Sequence, residues 1–308
     1  MLNLELLLTV QAFVSFFLLL FVNLKEMREV LTIEVGQACI QLGKAICEQY
    51  CAEQGIDNTG KRKENSGKKD SFKVVFEETV SGEFVPYDIA VDLEPNVTDD
   101  VKNGPFAAIS HTELLVHGKE DAANNFARGH YTISKLIIDK VNDQLRKLVD
   151  NCDNLMGFFI GHSVGGGTDS GLGALTLDRL AVDYRKKPKI DFDIYTSPNL
   201  STCVVELYNA LLSTHWLLDH AEVSLLLDNE AIHGICQKKI ENCQTRRTKL
   251  EQIDFEDLNE FQTNLATFPR LHFMTAGMST IIPKVDLSTA KRCQKITDTV
   301  VLSQRTGL

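Results

Sequence analysis

Gly161-His162-Ser163-Val164-Gly165-Gly166-Gly167-Thr168-Asp169-Ser170-Gly171 is the stretch on which the fold turns. Before it, Leu155-Met156-Gly157-Phe158-Phe159-Ile160 is an apolar run of buried-strand length; after it, residues 172–182 carry apolar residues at helical spacing. A strand, a glycine-rich turn and a helix start in succession form a cradle for an anion. Glycines let the backbone come close, and the unbonded N–H groups of the first helical turn face the charge. The spacing is neither that of the dinucleotide fingerprint nor that of the Walker loop, since no lysine follows the glycines. On residue types alone, a flexible loop and a phosphate loop both remain open readings. Asp169 sets a cost on the second, because a carboxylate at contact distance from a phosphate is unfavourable by about 1 to 4 kcal/mol at effective dielectrics between water and a protein surface.

Working outward, the order of elements repeats the same unit. Val30-Leu31-Thr32-Ile33-Glu34-Val35 is a β-branched strand that runs into Gly36-Gln37-Ala38-Cys39 and a helix through Tyr50, a second glycine at a helix start. Residues 55–70 are charged and rich in Gly, Asn and Lys, an exposed loop. Residues 72–93 read as strands with a turn at Ser81-Gly82, and they end in Val91-Asp92-Leu93-Glu94-Pro95, which puts Glu94 where α/β proteins hold metals and ligands. Small residues and amides from Gly118 to Asn125 precede a helix expected from Ile133 to about Val149, with Ile133, Leu136, Ile137, Val141, Leu145 and Leu148 as its core stripe. A strand follows at Ile190–Tyr195, and Val223 to Ile232 is a buried strand running into a polar turn. His215 and His220, on the helix between them, are surface or core fillers. Strand and helix alternate from 30 to 232, so the fold class is α/β: a Rossmann-like parallel sheet flanked by helices, with its site at the C-terminal ends of the strands.

Composition sets bounds on function. The 308 residues suffice for a sizeable core, and 44% hydrophobic with 24% charged residues is ordinary for a globular protein. The net charge of −10 disfavours nonspecific contact with nucleic acid or an anionic membrane. Eight cysteines lie scattered, with neither a C-x-x-C pair nor metal-ligand spacing, as expected of reduced thiols. Residues 2–24 differ from everything else: from Leu6 to Phe21 only Thr9, Gln11 and Ser15 interrupt an apolar run near the length of a short membrane span. No basic segment precedes it, so it is either an N-terminal membrane anchor or an extension ahead of a start at Met27.

Ser163 to Gly171, with its GGGT-x-SG after His-Ser, resembles the signature loop of the tubulin family, with Asp169 in place of a glycine. Met27-Arg28-Glu29-Val30 resembles the opening of tubulin chains, which favours the extension. Gly118 to Thr132 is the longest near-verbatim match, and it is of the α-tubulin type. The resemblance covers residues 27–278, most strongly 118–232. It implies a GTP-binding domain over 27–235, after the hydrophobic segment 1–26, and a shortened linker with a fragment of the second α+β domain over 236–308.

The resemblance also implies a binding site. Gly36, Gln37 and Ala38 would meet phosphates and Gln41 the base. Asp121, Ala122 and Asn124 would approach phosphates and Mg2+, with Glu94 near the metal. Ser163, Gly166, Gly167 and Thr168 form the signature loop; Thr202 and Glu206 would contact phosphate and ribose, and Asn229 the guanine edge. Leu207 stands in place of the usual proline and Cys39 in place of a glycine. Beyond Cys236 the match degrades: Gln244 to Glu251 stand in place of the base-stacking tyrosine and the second base-binding asparagine, and about a helix of sequence is missing. It returns at Asp257 to Leu265, where Glu260 matches the glutamate that α-tubulin supplies to its neighbour's nucleotide. The implied function is that of an α-tubulin-like GTP-binding cytoskeletal protein of the cytoplasm, with GTP and Mg2+ as cofactors and β-tubulin or another tubulin subunit in the microtubule lattice as partner. The alternative is a tubulin-derived interaction protein that has lost nucleotide binding and hydrolysis. Nucleic acid is not an expected partner, and a membrane is one only if residues 2–24 are an anchor.

Overall fold

A computed structural model describes residues 29–62, 71–197, 203–228 and 230, with isolated positions from 263 to 275. The hydrophobic segment 2–24, Thr202, Asn229, Glu260 and nearly all of 236–308 lie outside the described residues, and so do the domain boundaries expected at 26 and 235.

Seven parallel strands form the sheet: β1 (Glu29–Val35), β4 (Asp88–Asp92), β5 (Leu115–His117), β6 (Leu155–Ser163), β7 (Lys189–Tyr195), β8 (Val223–Asp228) and β9 (Phe273–Thr275), in the spatial order β5-β4-β1-β6-β7-β8-β9. A small antiparallel hairpin, β2 (Phe76–Glu78) and β3 (Phe84–Pro86), turns at Gly82 as the sequence suggests. From β1 the chain steps outward through β4 to β5, then returns to the other flank of β1 with β6 and continues to β9. That reversal beside β1 is the topological switch point at which α/β sheets open a crevice.

The five principal helices are α1 (Gly36–Gln54), α2 (Pro95–Lys102), α3 (Ile138–Asn151), α4 (Gly167–Asp183) and α5 (Glu206–His220). α1 stops at Gly55, whose φ of 69° provides the left-handed cap. Two apolar layers sandwich the sheet. On one face Leu31, Ile33, Phe158 and Ile160 meet Val141 and Leu145 of α3, Leu172 and Leu177 of α4, and Leu217 of α5. On the other, Val30, Phe159, Ile190 and Phe192 meet Leu42 and Tyr50 of α1 and Phe76 of the hairpin. With each such side chain contributing roughly 1.5 to 3 kcal/mol on burial, these layers hold the strand ends in register.

One expected helix begins late. Phe126–Arg128 is a single α-turn, Gly129–Ile133 a π-turn and Ser134–Leu136 a 3-10 turn, and regular α3 starts only at Ile138. These changes of pitch rotate Leu136 out of the stripe: it is 82% exposed, whereas Ile133, Ile137, Val141, Leu145 and Leu148 are buried as expected. The backbone of this segment packs against α4 too closely for a uniform helix. A Cβ at Gly129 would sit 2.4 Å from the Gly167 carbonyl, and one at Gly171 2.7 Å from the His130 nitrogen.

Candidate functional site

Two helix starts and one loop converge at the switch point. α1 begins directly after β1 and α4 directly after the β6 turn. Neither has a side-chain cap on its first N–H groups, which leaves those donors for an anion. The two starts touch: a Cβ at Gly36, whose φ is +77°, would lie 1.3 Å from an Asp169 carboxylate oxygen. Only glycine fits that left-handed position beside that carboxylate.

The third side is the loop after β5. Thr168 donates its hydroxyl to Asp121 Oδ1 at 3.1 Å, and Asp121 Oδ2 accepts the Ala123 N–H at 3.0 Å. Ala123 and Asn124 take positive φ of 50° and 53° as the loop bends back toward α4. The approach is so close that a Cβ at Gly167 would lie 2.4 Å from the Asn125 nitrogen.

Asn209 holds the assembly from below. It is buried in the first turns of α5, its Nδ2 donates to the Asn124 carbonyl at 2.8 Å and to the Gly165 carbonyl at 2.9 Å, and its Oδ1 accepts the Phe126 N–H at 3.0 Å. One amide thus ties the loop, the glycine turn and α5 together. His130 adds a second tie: buried, it stacks on Phe126 with ring centroids 5.3 Å apart, and its Nδ1 pairs with the Gly171 carbonyl at 3.1 Å.

The mouth of the cradle is acidic. Asp169 is pushed up to about 7 by burial and by the charges of Asp92 and Asp121, against the opposing pull of His162. Asp92 is pushed up to about 6, chiefly by burial; its Oδ1 accepts the Leu93 N–H at 2.7 Å. Glu94 follows at the entrance to α2, partly exposed, with Oε2 accepting from Asn96 at 3.2 Å. Asp169 therefore does not point outward. It lies between the two helix starts, with its carboxyl held well above the usual carboxylate range.

Beneath the glycine turn lies a second ionic cluster, fully buried. His162 Nε2 stands 3.3 Å from Asp191 Oδ2 and 3.2 Å from Asp193 Oδ1. Burial would lower the imidazole, but Asp191 and Asp193 outweigh it and push it up to about 10. A cavity of about 50 Å³, room for a few waters, lies elsewhere, under α1 among Glu34, Asp88, Cys39 and Cys47. It is separate from the cradle. Cys39 is buried with its side chain toward Gly161, so this replacement for a glycine packs backward into the sheet.

A family model described as "Tubulin/FtsZ family, GTPase domain" matches residues 29–237, which include every strand from β1 to β8 and all three sides of the cradle. The chain belongs to the tubulin/FtsZ family. Among its curated relatives is the "Tubulin alpha-1B chain" of Physarum polycephalum, 47% identical over 276 residues that span 83% of this chain and 62% of the relative. The protein of the same description from Schizophyllum commune is 47% identical over 274 residues, 83% of this chain and 61% of the relative. The chain thus spans about three-fifths of the length of these relatives.

Within this tubulin-family domain, the expected residues separate into three groups. Gly36, Asp121, Ala122, Asn124, Ser163, Gly166, Gly167 and Thr168 converge around the two helix starts; Gln37, Ala38 and Gln41 continue from Gly36 along the first turns of α1, with Gln37 and Gln41 exposed. Glu94 and Glu206 head α2 and α5 at the same edge of the sheet, and Glu206 Cγ would be 3.7 Å from a Cβ at Gly165. Thr202, Asn229 and Glu260 lie outside the described residues. Sequence reasoning missed Asn209 and His130, which carry no motif of their own, and it passed over Asp191 and Asp193 as one half of a strand alternation. His215 is exposed and His220 stacks on Trp216 with centroids 5.5 Å apart, as fillers would.

Proposed function

We propose that this tubulin-family chain binds GTP in the cradle and acts as an α-tubulin-like cytoskeletal subunit. One observation carries the reading: two helix N-termini without side-chain caps meet a loop of strained backbone at the switch point of a parallel sheet, and a buried amide locks all three. That arrangement offers preorganised N–H donors to a polyphosphate, and a nucleotide's negative charge is stabilised by both helix ends. The resemblance assigns the base to Gln41 and Asn229 and the ribose to Glu206.

The oxygen donors at the mouth suit Mg2+, a hard cation that prefers carboxylates and water. Glu94 and Asp121 would hold it, and Asp92 stands behind them with a backbone-bonded carboxylate. When bound, the ion would offset charge between phosphate oxygens. Asp169 tunes the site: protonated, it donates a hydrogen bond toward an anion; ionised, it repels one.

Assembly belongs to the same proposal. The partner is β-tubulin or another tubulin subunit in a microtubule lattice, the location is the cytoskeleton, and Glu260 is offered to the neighbour's nucleotide as a water-positioning group. Support for this comes from the α-type match at 257–265 and the α-tubulin relatives. Val204, Leu207, Tyr208 and Leu211 at the start of α5 are exposed and apolar, as a protein contact requires. Among the described residues no helix is long and apolar enough to cross a membrane.

Asp169 also favours a second reading, the interaction protein without nucleotide, because its carboxyl already lies against the start of α1. Titration of the full chain with a fluorescent GTP analogue, with and without Mg2+, separates the two. Micromolar or tighter binding by the wild type supports the first. Binding by Asp169→Gly alone supports the second, and no binding by either folded protein removes the nucleotide.

A further inference from the structure

We propose that His162, Asp191 and Asp193 form a structural site for one divalent transition-metal ion, zinc by preference, buried beneath the glycine turn. This inference does not depend on nucleotide binding in the cradle above it.

The sheet register builds the site. Asp191 and Asp193 alternate with Phe192 on β7, so both carboxylates project from the same face. Their partners on β6 are Ile160 and His162, which sets the imidazole beside the two acids. Nε2 approaches Asp191 Oδ2 at 3.3 Å and Asp193 Oδ1 at 3.2 Å, and one ligand atom from each of the three residues lies within 4.8 Å of the others. Two ligands bound tetrahedrally at about 2.0 to 2.1 Å from zinc are separated by about 3.3 to 3.4 Å. The observed separations are therefore those of ligands around an ion, and longer than an ordinary charge-assisted hydrogen bond.

The polar inventory points the same way. All three side chains are fully buried, and the four carboxylate oxygens are faced only by the one imidazole Nε2 and by Ser224. Ser224, which sits on β8 in register with Asp191, is buried beside Asp193 and is available as the fourth ligand. Two buried carboxylates that share one imidazole and one hydroxyl are short of donors and call for a further partner. An imidazolium neutralises one of the two carboxylates; a divalent ion neutralises both, and the donor set of one imidazole and two carboxylates suits zinc. His162 is oriented for ligation, since its Nδ1 pairs with the Ser163 carbonyl at 3.4 Å and leaves Nε2 as the free donor atom. α4 seals the site, for a Cβ at Gly173 would lie 2.9 Å from the imidazole. A bound ion would tie β6, β7 and β8 together one residue before the glycine turn begins.

The test uses the full chain stripped by chelator and reloaded with cobalt(II) or zinc alone. One cobalt per chain is expected, with ligand-field absorption and no thiolate-to-cobalt charge transfer, and zinc should raise the melting temperature. Asp191→Asn and Asp193→Asn should each weaken binding at least tenfold. X-ray absorption of the zinc-loaded wild type provides a measurement free of folding defects in the variants; a shell of nitrogen and oxygen containing one imidazole is expected. A sulfur shell would assign the ion to the cysteines. That result, unchanged binding in the variants, or a folded chain that retains no metal and so holds its cluster by protons alone, overturns the site.

Discussion

Two acidic clusters stand on the same sheet, one at its C-terminal edge and one within β7, and they are solved differently. Asp92, Asp121 and Asp169 face the open cradle. Two of them are held by backbone N–H groups and Asp121 is exposed, while burial raises Asp92 to about 6 and Asp169 to about 7. Asp191 and Asp193 are fully buried with no backbone donor, and the imidazole of His162 faces them both. The same residue type is a tuning device where helix starts and water can answer its charge, and a structural commitment where nothing but an opposite charge can.

The comparison predicts unequal costs. His162→Ala leaves two buried carboxylates without a cation and should destabilise the fold by about 3 to 5 kcal/mol in chemical denaturation; a loss below 1 kcal/mol would mean the dry cluster is solvated after all. Asn209→Ala removes three hydrogen bonds, two of them fully buried, between the loop, the glycine turn and α5. It should cost about 2 to 3 kcal/mol and abolish binding of a GTP analogue, and full retention of binding would show that the cradle needs no lock from below.

Asp169→Gly should tighten analogue binding about tenfold at pH 7.5, worth about 1.4 kcal/mol, and should remove the pH dependence of stability that the carboxyl carries. The wild type should lose nucleotide affinity as pH rises through about 7, while the variant should not. The sign for folding follows from the same shift. Asp169 in the fold lies above the ordinary aspartate value of 3.8, so its contribution to stability is fully present below that value and is lost as pH rises through about 7. A flat pH profile of binding would exclude Asp169 as the tuning group. Smallest of all, Arg146→Ala breaks an exposed pair with Asp183 and should leave the denaturation midpoint essentially unchanged, which sets the scale for charges that belong to neither cluster.

Much of this molecule is local in sequence. The units Val30–Tyr50 and Leu155–Val182 each contain their strand, their glycine and their helix within some twenty to thirty residues, so periodicity and one backbone requirement suffice to read them. Glu94 and Thr168 drew notice because they stand at a strand end and a helix start, where α/β folds place their sites, whereas Asp121 was singled out by the family resemblance. Leu136 was misread because a π-turn and a 3-10 turn intervene, a change of pitch imposed by the contact of Gly129 with Gly167 rather than by residue types. Asn209 was illegible for a related reason: its partners Asn124, Gly165 and Phe126 lie 85, 44 and 83 residues away.

The sequence by itself determined the alternation of strands and helices, the two glycine-bearing helix starts, and the family resemblance that orders them. Apolar period and glycine placement act over a few residues and need no partner to be recognised. Only the tertiary structure decided that Asp169 turns inward against Gly36, that Asn209 closes the cradle, and that His162 meets Asp191 and Asp193. Each of those contacts depends on how strands register and helices dock, and burial fixes that geometry for the chain as a whole.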